Sequence, residues 1–79
     1  MKYWIPVELT WLSYDELIAY VTERFPLSEH DMREIVDRVS VMPYSDTFIS
    51  LIMVFAVDMY GEGFNRTQVL KFLRGWDKI

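Results

Sequence analysis

Apolar residues recur along this chain at intervals of three and four, and the recurrence breaks four times. The longest apolar run is Thr47 to Tyr60, TFISLIMVFAVDMY. Its wide apolar arc predicts a central helix that touches more than one neighbour. On a helical wheel Phe48, Ile52, Phe55 and Met59 share one direction, with Ile49, Met53, Ala56 and Tyr60 beside it. That broad face is the expected core. The opposite face carries Thr47, Ser50, Val54, Val57 and Asp58, and four helices alone do not account for it. Its expected cover is the N-terminal arm or a second chain.

Three more helices follow from the same periodicity and from their end signals. Ser13 and Glu16 have the spacing of a reciprocal capping box, and Tyr14, Leu17, Ile18, Val21 and Phe25 follow on one face before Pro26. Ser28 opens the next helix, with Asp31 as the weaker box partner and Met32, Ile35, Val36 and Val39 as a narrow apolar stripe; Pro43 interrupts it. Ser45 or Asp46 caps the central helix, and Gly61-Glu62-Gly63 supplies the turn that follows. Asn65 and Gln68 repeat the capping box before Val69, Leu70, Phe72, Leu73 and Trp76. The spacing predicts helices over about 13–25, 28–40, 45–60 and 65–76. Residues 1–12 alternate poorly around Pro6 and read as an extended arm or short edge strand, packed across the helices through its aromatics. The expected fold is all-α, a compact four-helix bundle or orthogonal array with a short extended N-terminal arm, in one domain spanning 1–79.

Composition adds a constraint. A chain of 79 residues without cysteine must stabilise itself by packing, and its 52% apolar and 16% aromatic content supplies the material. Net charge is −4, with eight acids against four bases in residues 1–40 and four of each in 41–79. That balance opposes non-specific attraction to nucleic acid and to anionic membranes. The central apolar run is short of the ~20 residues a membrane span needs. No signal-peptide pattern opens the chain, and a cytoplasmic protein is expected.

Candidate chemistry is sparse, and no motif places the chain in a family. His30 near Asp31 and Glu34 could contact a divalent ion weakly, but an exposed histidine at a helix start is the ordinary reading. A calcium loop beginning at Asp58 puts Gly63 at the required glycine, yet leaves Val69 where the bidentate carboxylate belongs. Ser13, Ser28 and Ser45 are occupied as caps, and no glycine-rich phosphate loop occurs. No catalytic, cofactor or metal residue is assigned, and an enzyme is not expected.

Binding is the better-supported class. The glycine turn before the last helix resembles a helix-turn-helix, whose outer face would offer Asn65, Arg66, Gln68, Lys71, Arg74 and Lys78 to DNA. Against this stands the negative charge of the whole chain. The leading expectation is a non-enzymatic protein-interaction module, a small acidic adaptor, regulator or inhibitor of a larger protein. Its interface candidates are Tyr3, Trp4, Glu8, Trp11, Tyr14, Asp15, Glu16, Glu23, Val54, Val57 and Asp58. Aromatic rings join large apolar area to polar handles, and surrounding carboxylates suit a basic partner, including one whose surface otherwise holds nucleic acid. A homodimer that buries Val54 and Val57 or the Tyr3–Trp4 arm is the accompanying possibility.

Overall fold

Tyr3, Trp4 and Ile5 alternate in, out and in along the first strand, and this period of two sets the N-terminal architecture. The computed structural model describes residues 2–77. The arm folds back on itself as a hairpin of β1 (Tyr3–Ile5) and β2 (Thr10–Leu12), antiparallel with Tyr3 opposite Leu12, Trp4 opposite Trp11 and Ile5 opposite Thr10. Its four-residue loop is closed by Glu8 N–H donating to the Ile5 carbonyl at 3.2 Å and Leu9 N–H to that of Pro6 at 3.4 Å. Leu9 completes the reversal at φ 50°, the left-handed region.

Four helices follow: α1 (Tyr14–Arg24), α2 (Glu29–Ser40), α3 (Asp46–Gly61) and α4 (Arg66–Arg74), with a final 3-10 turn over Gly75–Asp77. Among the described residues the protein is mostly helical, with one small sheet. Each helix begins where its polar cap demands. Ser13 and Glu16 exchange both bonds of the capping box, as do Asn65 and Gln68. At α2 the box is half made: the Ser28 hydroxyl accepts from Asp31 N–H. Ser45 accepts from Phe48 N–H at the start of α3.

The ends are equally local in origin. Phe25 leaves α1 in an extended conformation because Pro26 follows it. After α3, Phe64 N–H reaches back to the Met59 carbonyl and Gly63 N–H to that of Tyr60, a Schellman closure with Gly63 at φ 107°. The last helix is shorter than its periodicity suggests, because the chain tightens into the 3-10 turn at Gly75.

Tyr3, Ile5, Leu17, Val21, Phe25, Met32, Val36, Ile49, Met53, Val69 and Leu73 belong to one core cluster drawn from the hairpin and all four helices. A radius of gyration of 11.5 Å matches the ~11.6 Å expected of a fully collapsed chain of this length. The arm therefore adds no extended tail.

α3 buries Ile49, Ile52, Met53 and Ala56 as its periodicity predicts, but its inward arc is rotated from the expected one. Phe48 and Phe55, assigned to the core by periodicity, are 37% and 62% exposed. Ser50 and Val54, on the face left without a cover, are 0% and 6% exposed. The cause is the hairpin: β1 lies against α3, and both of its inward side chains, Tyr3 and Ile5, are fully buried. The buried Ser50 hydroxyl donates to the Thr47 carbonyl at 2.9 Å and so loses no hydrogen bond.

Candidate functional site

The interface candidates separate into four places, with Asp58 exposed by itself on α3. Tyr3 and Val54 belong to the core and present no surface, and Val57 is half-buried. Trp4 and Trp11 face each other on the outer side of the hairpin, ring centroids 5.2 Å apart, with Trp11 54% exposed. The hairpin loop adds exposed Val7 and Leu9.

The acidic candidates gather beside that hairpin. Glu8, Glu16 and Glu23 line one groove between β2 and α1, together with Thr10, Leu12, Ala19, Tyr20 and Arg24, enclosing about 320 Å³. Helical spacing explains the α1 contribution, because residues 16, 19, 20 and 23 share one side of the helix. Arg24 is the single base among the described lining residues, and it is already engaged. It lies 3.7 Å from Glu8 and 3.6 Å from Glu23, donates to the Tyr20 carbonyl at 2.9 Å, and stacks its guanidinium 3.9 Å from the Tyr20 ring centre. Glu16 Oε1 accepts from Ser13 N–H at 2.9 Å in the capping box, which holds its carboxyl below the usual range. Burial pushes the Tyr20 phenol up.

Asp15 and Tyr14 face α2 instead. Arg33 lies 2.9 Å from Asp15 and 2.7 Å from Glu29, and these carboxylates, Glu29 first, raise its already high pKa. The Tyr14 hydroxyl donates to Asp37 Oδ1 at 2.7 Å. Burial and then that carboxylate raise the Tyr14 pKa. These contacts tie α1 to α2 at the surface, with the Asp15 side chain still exposed. On α2, His30, Asp31 and Glu34 have ligand atoms within 4.8 Å of one another.

Of the six DNA-contact candidates, three are bonded at the start of α4. Asn65 and Gln68 hold each other in the capping box, and the Arg66 Nε donates to the Pro26 carbonyl at 2.7 Å. Lys71 and Arg74 are exposed. Lys78 lies outside the described residues.

Sequence reasoning missed the most apolar surface of the molecule. A groove of about 390 Å³ runs between α3 and α4, lined by Phe48, Leu51, Ile52, Phe55, Phe72 and Trp76. Its rings form a continuous ladder. Tyr44 meets Phe48 at 5.2 Å, Phe48 meets Trp76 at 5.4 Å, Trp76 meets Phe72 at 5.9 Å, and Phe72 meets Phe55 at 6.0 Å. The Tyr44 hydroxyl fixes the upper end by donating to the Trp76 carbonyl at 2.9 Å. The signal available in the sequence was the strip 48, 51, 55, 58 and 62, whose steps of three and four continue the apolar side of α3 into two acids.

No helix among the described residues is long and apolar enough to cross a membrane. No family model matches the chain, and comparison with curated proteins and with solved structures finds no match. The functional reading therefore rests on the surface itself.

Proposed function

We infer that the protein is a non-enzymatic interaction module that binds a basic segment of a larger protein. The observation that carries this reading is the convergence of Glu8, Glu16 and Glu23 on one groove in which Arg24, the only base among the described lining residues, is already paired. A lysine- or arginine-bearing segment entering there meets three carboxylates and one guanidinium, an excess of two negative charges. Trp11, between Thr10 and Leu12 in β2, offers an exposed ring on the adjoining face as an anchor. The cytoplasm, where such a module would act as adaptor, regulator or inhibitor, is the proposed setting.

A discrete protein segment suits this surface better than mimicry of a long nucleic-acid strand. Asp15, Glu29 and Glu34 are matched by Arg33 or Arg38, which breaks the acidic character along α1 and α2. Phosphate mimicry would need an unbroken run of unpaired acids.

Affinity capture from the native cell tests the reading, comparing the parent chain with Trp11→Ala and with the double variant Glu8→Lys/Glu23→Lys. The parent should retain a basic protein that both variants lose and that raised salt releases. Equal retention by all three chains refutes it.

A further inference from the structure

The aromatic groove lies apart from the acidic one, and its two rims carry opposite charge. On α3, Phe48, Leu51, Phe55, Asp58 and Glu62 follow one another in steps of three and four and are all exposed, so apolar surface runs into an acidic end. The last turn of α3 holds no base. On α4, Val69 and Leu73 are buried and define the inward side. Helical spacing then puts Lys71 beyond Phe72, on the groove's far rim. Arg74 falls on the other side, lining a crevice with Glu34 and Arg38.

The ring contacts fix the relative direction of the two helices. Phe55 stacks on Phe72 while Phe48 meets Trp76, so α3 and α4 run antiparallel with Phe55 level with Phe72. Asp58 stands three residues past that level and Lys71 one residue past it, in the same direction. At ~1.5 Å per residue they differ in height by about 3 Å, well within the reach of a lysine.

We propose that the occupant of this groove is a second copy of the same chain, related by a two-fold axis parallel to α3 and α4. That operation keeps every residue at its own height and lays α3 of one copy over α4 of the other. Phe48 and Phe55 then enter the partner's aromatic groove, and Asp58 meets the partner's Lys71 twice, once on each side of the axis. The surface is complementary to itself in shape and in charge. Gly75 lies on the exposed side of the C-terminal turn, where no side chain obstructs the approach.

The area sets the strength. Phe48, Leu51 and Phe55 are 37%, 43% and 62% exposed, which for side chains of ~200 Å² amounts to roughly 300 Å² of apolar surface. A stable dimer buries about 800 Å² per partner. The pairing is therefore reversible, with Kd in the range of about 10 µM to about 1 mM.

Sedimentation of the intact protein from about 1 µM to about 1 mM tests this. The weight-average mass should climb from monomer toward dimer. Phe55→Ser, at a position 62% exposed and outside the core, should hold the chain monomeric while circular dichroism stays unchanged. Asp58→Lys and Lys71→Glu should each weaken pairing about tenfold, as expected for a lost ion pair replaced by repulsion at two symmetric positions. A one-to-one mixture of these two variants should recover it, because each then supplies the charge that the other lacks at both contacts. A parent chain that remains monomeric throughout overturns the proposal. So does a dimer that survives Phe55→Ser, or a mixture no stronger than its components. None of these results bears on the Glu8–Glu23 groove, whose capture assay uses different residues.

Discussion

Replacing Tyr3 by alanine is the most direct test of how the hairpin closes this fold. Tyr3 is the largest of the fully buried side chains and lies on a strand of three residues. Truncation removes roughly 150 Å² of buried apolar surface, about 4 kcal/mol at ~25 cal/mol per Å², before any cavity cost. A chain of this length has a net stability of about 4–12 kcal/mol. Tyr3→Ala should thus consume a large share of it and lower Tm by roughly 15–30 °C. Tyr3→Phe keeps the ring and removes only the buried hydroxyl, so about 1 kcal/mol should be lost. Phe55→Ala, the same kind of truncation on a residue 62% exposed, should cost less than about 1 kcal/mol. Urea denaturation followed by far-ultraviolet circular dichroism measures all three on one scale. The reasoning fails if Tyr3→Ala costs no more than Phe55→Ala, because the hairpin would then not be what seals α3.

Three further expectations follow from local geometry. Leu9 occupies the left-handed region at φ 50° while 76% exposed; Leu9→Asn should raise stability by about 0.5–1 kcal/mol, and a lower urea midpoint would contradict this. Ser45→Ala removes the acceptor for Phe48 N–H at the start of α3 and should cost about 1 kcal/mol by the same assay; an unchanged midpoint would count against the cap. Tyr3, Tyr14 and Tyr20 have pKa values raised above 10.0, each chiefly by burial. The folded state then keeps protons that the unfolded chain has released, so their contribution is full below pH ~10 and is lost as pH rises through the folded values. Tyrosinate absorbance should show these three ionising late, together with alkaline unfolding. A single titration of all five tyrosines at the ordinary value, with the fold intact, would refute the burial argument.

The helices were legible because their information is local. Ser13 with Glu16, and Asn65 with Gln68, name their own helix starts, and both boxes form. Pro26 and Gly63 end helices for reasons confined to two or three residues. The hairpin was less legible. Its loop, Pro6-Val7-Glu8-Leu9, contains neither glycine nor asparagine, and a leucine takes the left-handed position those residues normally fill. Only three residues of alternation on each side announce the strands. The acidic groove drew on residues that sequence reasoning had named. Their meeting depends on β2 lying beside α1, which no spacing within one helix encodes.

The same limit explains why the aromatic groove was assigned to the core. A helix as apolar all round as α3 has no periodicity that says which arc faces inward. The decision is made by what packs against it. Ser50, Val54 and Val57 form a low, small-residue surface on which a strand can lie closely, whereas Phe48 and Phe55 project too far for backbone to approach. Once Tyr3 and Ile5 bury themselves on the low side, the bulky side is left to α4, and α4 covers it only in part because the chain tightens at Gly75 before another helical turn is added. The partly exposed ladder from Tyr44 to Phe55 is therefore a consequence of where the hairpin sits. A hairpin weakened by Tyr3→Ala should expose a second apolar face of α3 and raise self-association beyond what the groove alone supports. That rise should persist when Phe55→Ser is added to the same chain, since the newly exposed surface lies on the other side of the helix.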